Sequence, residues 1–267
     1  MTGIHKKIII YQVLPRLFGN TQTEWIPWGT REQNGIGKFS DFTDRAILAI
    51  KDLGVTHIWL TGILHHALIG EYKTYGISDD DPDVVKGRAG SPYAIKDYYS
   101  VNPDLANDPQ LRNEEFKTLV DRIHTHGLKV IIDIVPNHVA RKYESVSKPE
   151  GISDLGQNDD TTVEYVRNNN FYYIPGQAFE VPEFPDDYQP LGGDKHPLSD
   201  GKFDEFPAKW TGNGSRNARP ALTDWYETVK LNYGVKPDGT WEFDSLPEEL
   251  WQTSIEDHLE FWSSRSV

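Results

Sequence analysis

Cysteine is absent from the 267 residues of this sequence. A disulfide framework, a thiolate metal site and a cysteine nucleophile are therefore excluded. The sequence also lacks any run near the roughly 20 consecutive apolar residues that a membrane-spanning helix needs. An early apolar run that follows two lysines is broken by Gln12 and precedes no small-residue cleavage site. We therefore expect no signal peptide and a cytoplasmic protein, with secretion of a processed form left open.

Basic residues are scarce relative to acidic ones. The sequence has 27 lysines and arginines against 41 aspartates and glutamates, which gives a formal net charge of -14 at pH 7. This charge repels both the phosphates of nucleic acids and anionic lipid surfaces. Neither nucleic acid nor a membrane is therefore expected as a partner.

Three short apolar runs predict the buried strands of a parallel sheet. Residues 8–14, 55–60 and 128–135 are rich in β-branched and aromatic side chains, as expected for strands that are covered on both faces. The second run leads into a long segment rich in Gly, Pro, Asp and Tyr, which is expected to be a loop.

Two amphipathic segments between these runs predict helices. Ser40 is the predicted N-cap of the first helix, and Gly54 is its expected left-handed C-terminal residue. Asn113 and Gly127 take the same places in the second helix. The alternation of strand and helix predicts right-handed crossovers, a single parallel sheet and helices outside it.

The pattern changes after the third strand. From about residue 139 to 235, Asn, Asp, Gly, Pro and aromatic residues dominate without a helical period, which predicts an inserted domain. Ser245 and Glu248 then form a capping-box pattern that opens a further helix. The sequence stops at Val267, where a fourth strand would start.

The number of strands favours a partial barrel. A complete (β/α)8 barrel of about 250 residues has eight strands, whereas only three and the start of a fourth are predicted. We therefore expect an α/β protein that is a partial (β/α)8 barrel. Residues 1–138 would form its first part, residues 139–235 the inserted domain and residues 236–267 a truncated continuation.

The third strand ends in a cluster of polar side chains, Asp133, Asn137 and His138. In parallel α/β folds, polar residues at the carboxyl ends of strands line the active site. A carboxylate in an apolar strand costs several kcal/mol unless it is paired, so Asp133 needs a partner such as an arginine. Each residue alone has a simpler explanation: backbone donors for Asp133, a turn for Asn137 and a loop hydrogen bond for His138. Only the cluster favours an active site.

Five segments resemble the α-amylase family, glycoside hydrolase family 13. They are residues 133–139 (Asp-Ile-Val-Pro-Asn-His-Val), 90–104 (Gly-Ser-Pro-Tyr to Val-Asn-Pro-Asp), 35–42 (Gly-Ile-Gly-Lys-Phe-Ser-Asp-Phe), 53–60 (Leu-Gly-Val-Thr-His-Ile-Trp-Leu) and 11–16 (Tyr-Gln-Val-Leu-Pro-Arg). They resemble, respectively, the first conserved region, the loop after the second strand, the family's usual opening in two parts, and its first strand. Each motif is short, but all lie in the family's order and cover most of residues 8–140.

The resemblance implies a role for each matched residue. Tyr93 would stack on the sugar ring at the cleavage subsite, and His138 would hydrogen-bond a hydroxyl group of the same sugar. Asp133 would brace an arginine of the fourth strand, and Asp97 would support the active site. Asn137 would hold the junction with the insert, where the family sometimes uses it as a calcium ligand.

The expected metal site contains a lysine. Residues 223–233 (Thr-Asp-Trp-Tyr-Glu-Thr-Val-Lys-Leu-Asn-Tyr) resemble a motif near the end of the family's second domain. Calcium-binding members often place an aspartate before Leu-Asn, whereas this sequence has Lys230. We expect the Lys230 ammonium group to stand in for the metal, so no cofactor is expected and calcium dependence is doubtful.

The resemblance also implies what the sequence does not contain. A retaining glycosidase needs two carboxylates roughly 5 Å apart, and the family supplies them from its fourth and fifth strands, whose motifs do not occur before Val267. The expected function is a retaining glycoside hydrolase that acts on α-glucans or malto-oligosaccharides, present as an inactive N-terminal portion. A non-catalytic amylase-like protein that binds carbohydrate or a partner protein is the alternative, and another barrel enzyme with chance similarity is a weaker one.

Overall fold

The computed structural model describes residues 7–185 and 195–242. In chain order, its strands are β1 (Ile10–Val13), β2 (His57–Leu60), β3 (Leu64–His66), β4 (Ile95–Val101), β5 (Lys129–Ile132), β6 (His138–Ala140), β7 (Tyr173–Ile174), β8 (Ala208–Lys209) and β9 (Thr228–Lys230). Its α-helices are α1 (Arg31–Asn34), α2 (Asp44–Asp52) and α3 (Arg112–Thr125). Short 3-10 turns span Phe39–Asp41, Lys73–Tyr75, Pro82–Val84, Pro103–Leu105 and Pro109–Leu111.

The three predicted strands form one parallel sheet in the order β1, β2, β5. Ile10 of β1 pairs with His57 of β2, which pairs in turn with Lys129 of β5. Helix α2 lies between β1 and β2 in the chain, and α3 lies between the long segment that follows β2 and strand β5. The predicted alternation of strand and helix with a parallel sheet is therefore confirmed.

The predicted helix starts were wrong, although the ends were right. Thr43, not Ser40, caps α2, because its hydroxyl accepts a hydrogen bond from the Ala46 amide at 3.2 Å. Asn113 lies inside α3, and its side chain instead bonds the backbone of β4, accepting from the Val101 amide at 3.1 Å. Both helices are followed by a left-handed glycine, with φ of 81° at Gly54 and 75° at Gly127.

One face of the sheet packs against the helices. Because side chains alternate along a strand, Tyr11, Val13, Ile58, Leu60 and Val130 lie on the same side, where they join the main hydrophobic core. Burial of this apolar face at about 25 cal/mol per Å² is the main favourable term for the sheet.

The opposite face of the sheet is less covered. Gln12, Trp59 and Ile131 lie side by side in register; Gln12 is exposed, and the other two are half-buried. Asp133 follows β5 and continues the face of Ile131 by alternation. This is the face opposite to the helices, as expected if Asp133 is a functional residue.

The segment predicted as a loop after β2 contains two strands. β3 and β4 pair antiparallel, and all seven residues of β4 are buried. Lys96 of β4 is fully buried and donates to the Asp80 carboxylate at 2.8 Å and to the Ser78 carbonyl at 2.6 Å. The sequence predicted a loop here because the segment is rich in Gly, Pro and Asp. The polar residues of β4 are nevertheless buried, and they are paired within the protein.

Within the described residues, the segment after β5, predicted as an inserted domain and called the insert below, is built from strands and irregular loops. β6 pairs antiparallel with β9, and β7 pairs with β8. Tyr172, Phe179 and Trp210 belong to a second hydrophobic core. The predicted absence of a helical period over 139–235 agrees with these elements.

A buried cation ties the two sides of the insert together. The Arg141 guanidinium donates to the Glu205 carboxylate at 2.5 Å and to the Tyr226 carbonyl at 2.6 Å. It also lies 3.9 Å from the centre of the Phe179 ring. A fully buried guanidinium is tolerated only when it is paired and hydrogen-bonded in this way.

One buried carboxylate, Asp104 after β4, joins the loop after β1 to the loop before β4. The Asp104 carboxylate accepts hydrogen bonds from Arg16 at 2.8 Å, from Arg88 at 3.3 Å and from the Tyr72 hydroxyl. Lys38 binds the Asp104 carbonyl at 2.5 Å. Burial alone would raise the pKa of Asp104, but the two guanidinium groups and the phenol lower it to about 2.

The helix predicted to open at Ser245 and the start of a fourth strand lie outside the described residues. Most of the predicted continuation over residues 236–267 therefore stays a prediction. The longest described helix, α3, has 14 residues and carries several charges. In the part of the chain described, no helix is long and apolar enough to cross a membrane.

Replacement of Asp104 tests the junction between the loops. Asp104→Asn leaves two guanidinium groups without their carboxylate, so we expect a loss of about 3 kcal/mol in the free energy of unfolding at pH 7. The folded-state pKa is depressed, so the stabilisation is present above about pH 4 and declines as the pH falls towards 2. Urea unfolding of the two proteins should therefore differ most at pH 7 and least near pH 2.

The matched control is Asp121→Asn, which removes an exposed carboxylate paired with Lys117 on α3. A change within about 0.5 kcal/mol is expected there. An equal loss in the two variants, or a difference for Asp104→Asn that does not shrink in acid, would contradict the assignment.

Candidate active site

Three segments meet beyond the carboxyl ends of β2 and β5. Tyr93 precedes β4, Asp133 follows β5, and Asn137 and His138 lie at the start of β6.

Tyr93 and Asp133 are in contact. The Tyr93 hydroxyl lies within hydrogen-bonding reach of the Asp133 carboxylate, and burial together with this negative charge raises the pKa of Tyr93. The Gly62 amide, at the end of β2, donates to Asp133 at 3.3 Å. The Tyr93 side chain remains 40% exposed. Its hydroxyl is anchored, while part of its ring remains open to a ligand.

His138 is buried and has two hydrogen-bond partners. Its Nδ1 lies 2.9 Å from the Asn137 amide nitrogen, and the ring also hydrogen-bonds to the backbone of Tyr93. Burial lowers the pKa of His138, and the charge of Lys230 lowers it further. The ring is therefore neutral at pH 7, with Nδ1 as an acceptor. A sugar hydroxyl that binds this ring must replace one of the two partners.

Both the nitrogen and the oxygen of the Asn137 side-chain amide are hydrogen-bonded at the junction with the insert. Its Nδ2 donates to His138 and to the Gly212 carbonyl at 3.0 Å, and its Oδ1 accepts from the Lys230 ammonium group. These contacts join β6 to β9 and to a loop of the insert. Asn137 thereby fixes both the imidazole orientation and the position of the insert beside it.

Asp97 lies apart from this cluster and holds a different segment. Its buried carboxylate accepts from the Ser145 hydroxyl at 2.5 Å, from the Tyr99 amide at 2.8 Å and from the amides of residues 146 and 147 at 3.1 and 3.2 Å. Burial raises the pKa of Asp97, while these donors act in the opposite direction. The predicted support is thus directed at the first part of the insert and not at Tyr93 or His138.

Two neighbours of His138 were not predicted from the sequence. Trp225 lies edge-on to the imidazole with ring centres 5.3 Å apart, and its side chain is 45% exposed. Its amide donates to Asn213 at 3.2 Å, which fixes the loop. Glu227 is buried and pairs with Lys86 at 2.6 Å. Both residues lie in the 223–233 motif, but the motif assigned neither of them a role at the site.

The described residues do not fit a calcium site at Asn137. The oxygen that would bind the metal already accepts from the Lys230 ammonium group. Within residues 7–185 and 195–242, no cluster of three or more His, Cys, Asp or Glu side chains could hold a metal ion. Ca²⁺ requires six to eight oxygen ligands, which this arrangement does not supply.

The family model for the alpha-amylase catalytic domain matches residues 12–189. The chain therefore belongs to the α-amylase family of glycoside hydrolases, which confirms the resemblance found in the five motifs. It is 30% identical over 139 residues to trehalose-6-phosphate hydrolase of Bacillus subtilis, covering 52% of this chain and 18% of that protein. It is 27% identical over 143 residues to an intracellular maltogenic amylase of Bacillus subtilis, covering 50% of this chain and 20% of that protein.

An alpha-amylase from Lactobacillus plantarum aligns with a TM-score of 0.46 and 26% identity, over 96% of this chain and 36% of that chain. The chain spans about a fifth of the length of the two curated relatives and about a third of this structure.

Proposed function

We propose that this chain supplies the first part of the catalytic domain of a retaining glycoside hydrolase that acts on α-glucans or malto-oligosaccharides. The observation that carries the proposal is the cluster of Tyr93, Asp133, Asn137 and His138 at the carboxyl ends of the parallel strands. Polar groups and a partly exposed aromatic ring at this edge of a sheet suit a sugar ring, which has an apolar face and hydroxyl groups around its rim. The maltogenic relative supports the same class of substrate.

The finer fold proposal is that β1, β2 and β5 are the first three strands of a (β/α)8 barrel. Their order in the sheet, the helices on one face and the less covered opposite face support it. In this arrangement residues 1–138 belong to the barrel, residues 139–235 form the inserted domain, and the barrel resumes from residue 236. The pairing of β6 with β9 supports placing the insert between those bounds.

Each site residue then has a part in substrate binding. The exposed face of Tyr93 stacks on the sugar at the cleavage subsite, with its hydroxyl held by Asp133. His138 contacts a hydroxyl of the same sugar after exchange of one ring partner, and Asn137 keeps the imidazole in its tautomer. Asp133, already bonded to Tyr93 and Gly62, is a positioning residue and not the nucleophile. The nucleophile and the acid/base carboxylate are expected beyond residue 267.

Hydrolysis of p-nitrophenyl α-glucoside tests this function. We expect the full reading frame to release nitrophenol and the 267-residue chain to be inactive, because the two carboxylates are needed together. In the full product, His138→Ala should lower kcat/KM at least tenfold, equivalent to about 1.4 kcal/mol of transition-state binding. His124→Ala, on the exposed face of α3, should leave it unchanged.

Clear turnover by the 267-residue chain alone would refute the proposed location of the carboxylates. Sugar binding by the full product without turnover would favour the non-catalytic alternative.

We propose further that the Lys230 ammonium group takes the place of a calcium ion at Asn137. Lys230→Met keeps the aliphatic stem but leaves the Asn137 oxygen without its donor and removes a positive charge near His138. We expect a loss of about 1–3 kcal/mol in stability and a rise in the pKa of His138, measured by thermal unfolding and by NMR titration.

Wild-type protein should melt at the same temperature with and without EDTA. A sharp drop in melting temperature with chelator would overturn the substitution of lysine for calcium.

We also propose a cytoplasmic location, supported by the relative that is named as intracellular. Fractionation of source cells with an antibody against the insert should find the protein in the cytoplasmic fraction. Recovery from the medium or the envelope would contradict it.

A further inference from the structure

Two asparagines in the chain, Asn34 and Asn213, are each followed by a glycine. Glycine has no Cβ, so the backbone after the asparagine is free to bend back towards the asparagine side chain. The glycine nitrogen can then attack the amide carbon, Cγ, of the asparagine, and the chain itself keeps the two reacting groups close together. Each pair is therefore a candidate site for loss of the side-chain amide, and the surrounding structure decides between them.

The pair Asn34–Gly35 is enclosed by its neighbours. The Asn34 side chain accepts from the Ile26 amide and donates to the Ile26 carbonyl, both at 2.9 Å. A Cβ on Gly35 would lie 2.1 Å from the side-chain oxygen of Asn20, so the backbone here is tightly packed. Reaction at Asn34 would require both its side chain and the following backbone to move, and these contacts oppose that movement.

The pair Asn213–Gly214 is open. It lies in the segment between β8 and β9, and Asn213 is exposed. No described atom lies within 4 Å of a Cβ built on Gly214. The Gly214 amide donates to the Thr211 carbonyl at 2.7 Å, so this turn must open before the nitrogen can react. The space around Gly214 permits that opening.

Hydrogen-bond donors polarise the side-chain carbonyl of Asn213. The Thr211 hydroxyl donates to its Oδ1 at 2.6 Å, and the Trp225 amide donates to the same atom at 3.2 Å. Attack at Cγ converts Oδ1 into an oxyanion, and donors that are already directed at this oxygen stabilise the negative charge as it develops. The contacts that hold the Asn213 side chain therefore also favour its reaction.

We propose that Asn213 is a site of spontaneous deamidation and that its conversion releases the loop that holds Trp225 beside His138. The Gly214 nitrogen gives its proton to solvent and forms a bond to Cγ. The bond between Cγ and Nδ2 then breaks as Nδ2 takes a proton from water and leaves as ammonia. A water molecule opens the resulting succinimide ring to aspartate or isoaspartate, so the net reaction consumes one water and releases one ammonia.

The product loses a contact that holds this loop. Nδ2 of Asn213 donates to the Asp224 carboxylate at 3.0 Å. Burial alone would raise the pKa of Asp224, but hydrogen bonds, first among them the one from Asn213, lower it, so the group is ionised at pH 7. After deamidation two carboxylates face each other without this donor, and they repel. Trp225 follows Asp224 in the chain and meets His138 edge-on at 5.3 Å, so the repulsion displaces the indole from the imidazole.

Peptide mapping by mass spectrometry tests the site. The folded chain and the chain unfolded in urea are incubated side by side at mildly alkaline pH, and the gain of one dalton is followed at each pair. In urea Asn34 and Asn213 should react at similar rates, because both precede glycine and neither is held by the fold. In the folded chain we expect Asn213 to react at least about tenfold faster than Asn34, because its backbone is open and its oxygen is polarised.

Two variants serve as controls for the rates. Asn213→Gln keeps the amide but lengthens the side chain, so it should convert far more slowly than the wild type. Asn34→Gln should leave the rate at Asn213 unchanged. Equal rates at the two asparagines of the folded chain would overturn the inference, as would an Asn213 that reacts in urea but not in the folded protein.

The effect on the loop is tested with the product analogue Asn213→Asp. Because the Trp225 ring lies against His138, its displacement should shift the NMR signals of the imidazole. Asn213→Asp combined with Asp224→Asn again places one amide opposite one carboxylate and should return these signals to their wild-type positions. Wild-type protein in which conversion has been measured should show the same shift as Asn213→Asp. Unchanged His138 signals in both the aged protein and Asn213→Asp, or no recovery in the double variant, would contradict the release of the loop.

Discussion

The arrangement of the loops after β1 and before β4 depends on the buried carboxylate of Asp104. It brings together a guanidinium from the end of β1, another from the loop before β4 and a phenol from the same loop. The loop after β1 carries Trp28, and the loop before β4 carries Arg88 and Tyr93. One ion cluster therefore holds the loop after β1 against the loop that leads to Tyr93 of the candidate active site.

The features predicted correctly from the sequence are those that local patterns encode. Apolar runs of β-branched residues located β1, β2 and β5 to within a few positions, and glycine marked the ends of α2 and α3. The predicted helix starts were misplaced because Ser40 and Asn113 have side chains suited to an N-cap but take part in other contacts. Ser40 lies in the 3-10 turn Phe39–Asp41, which precedes α2. The Asn113 side chain accepts a hydrogen bond from the backbone of β4.

The contacts that shape the candidate site are long-range, and no local pattern reports them. Asn137 meets Lys230 across most of the insert, and Glu227 meets Lys86 from a different loop. The motif resemblance placed Tyr93, Asp133, Asn137 and His138 at one site, and the structure brings these side chains together. It did not indicate that both nitrogens of the His138 ring have partners within the protein, nor that Trp225 flanks this ring.

The antiparallel pairing of β6 with β9 brings the start and the end of the segment after β5 together. His138 lies opposite Lys230, so the polypeptide closes a loop of about 90 residues at a single two-stranded clasp. Closing such a loop costs an entropy that grows only with the logarithm of its length, about 0.6 kcal/mol for each doubling. A change in the length of this segment therefore costs little free energy as long as β6 and β9 stay paired and hold His138 in register.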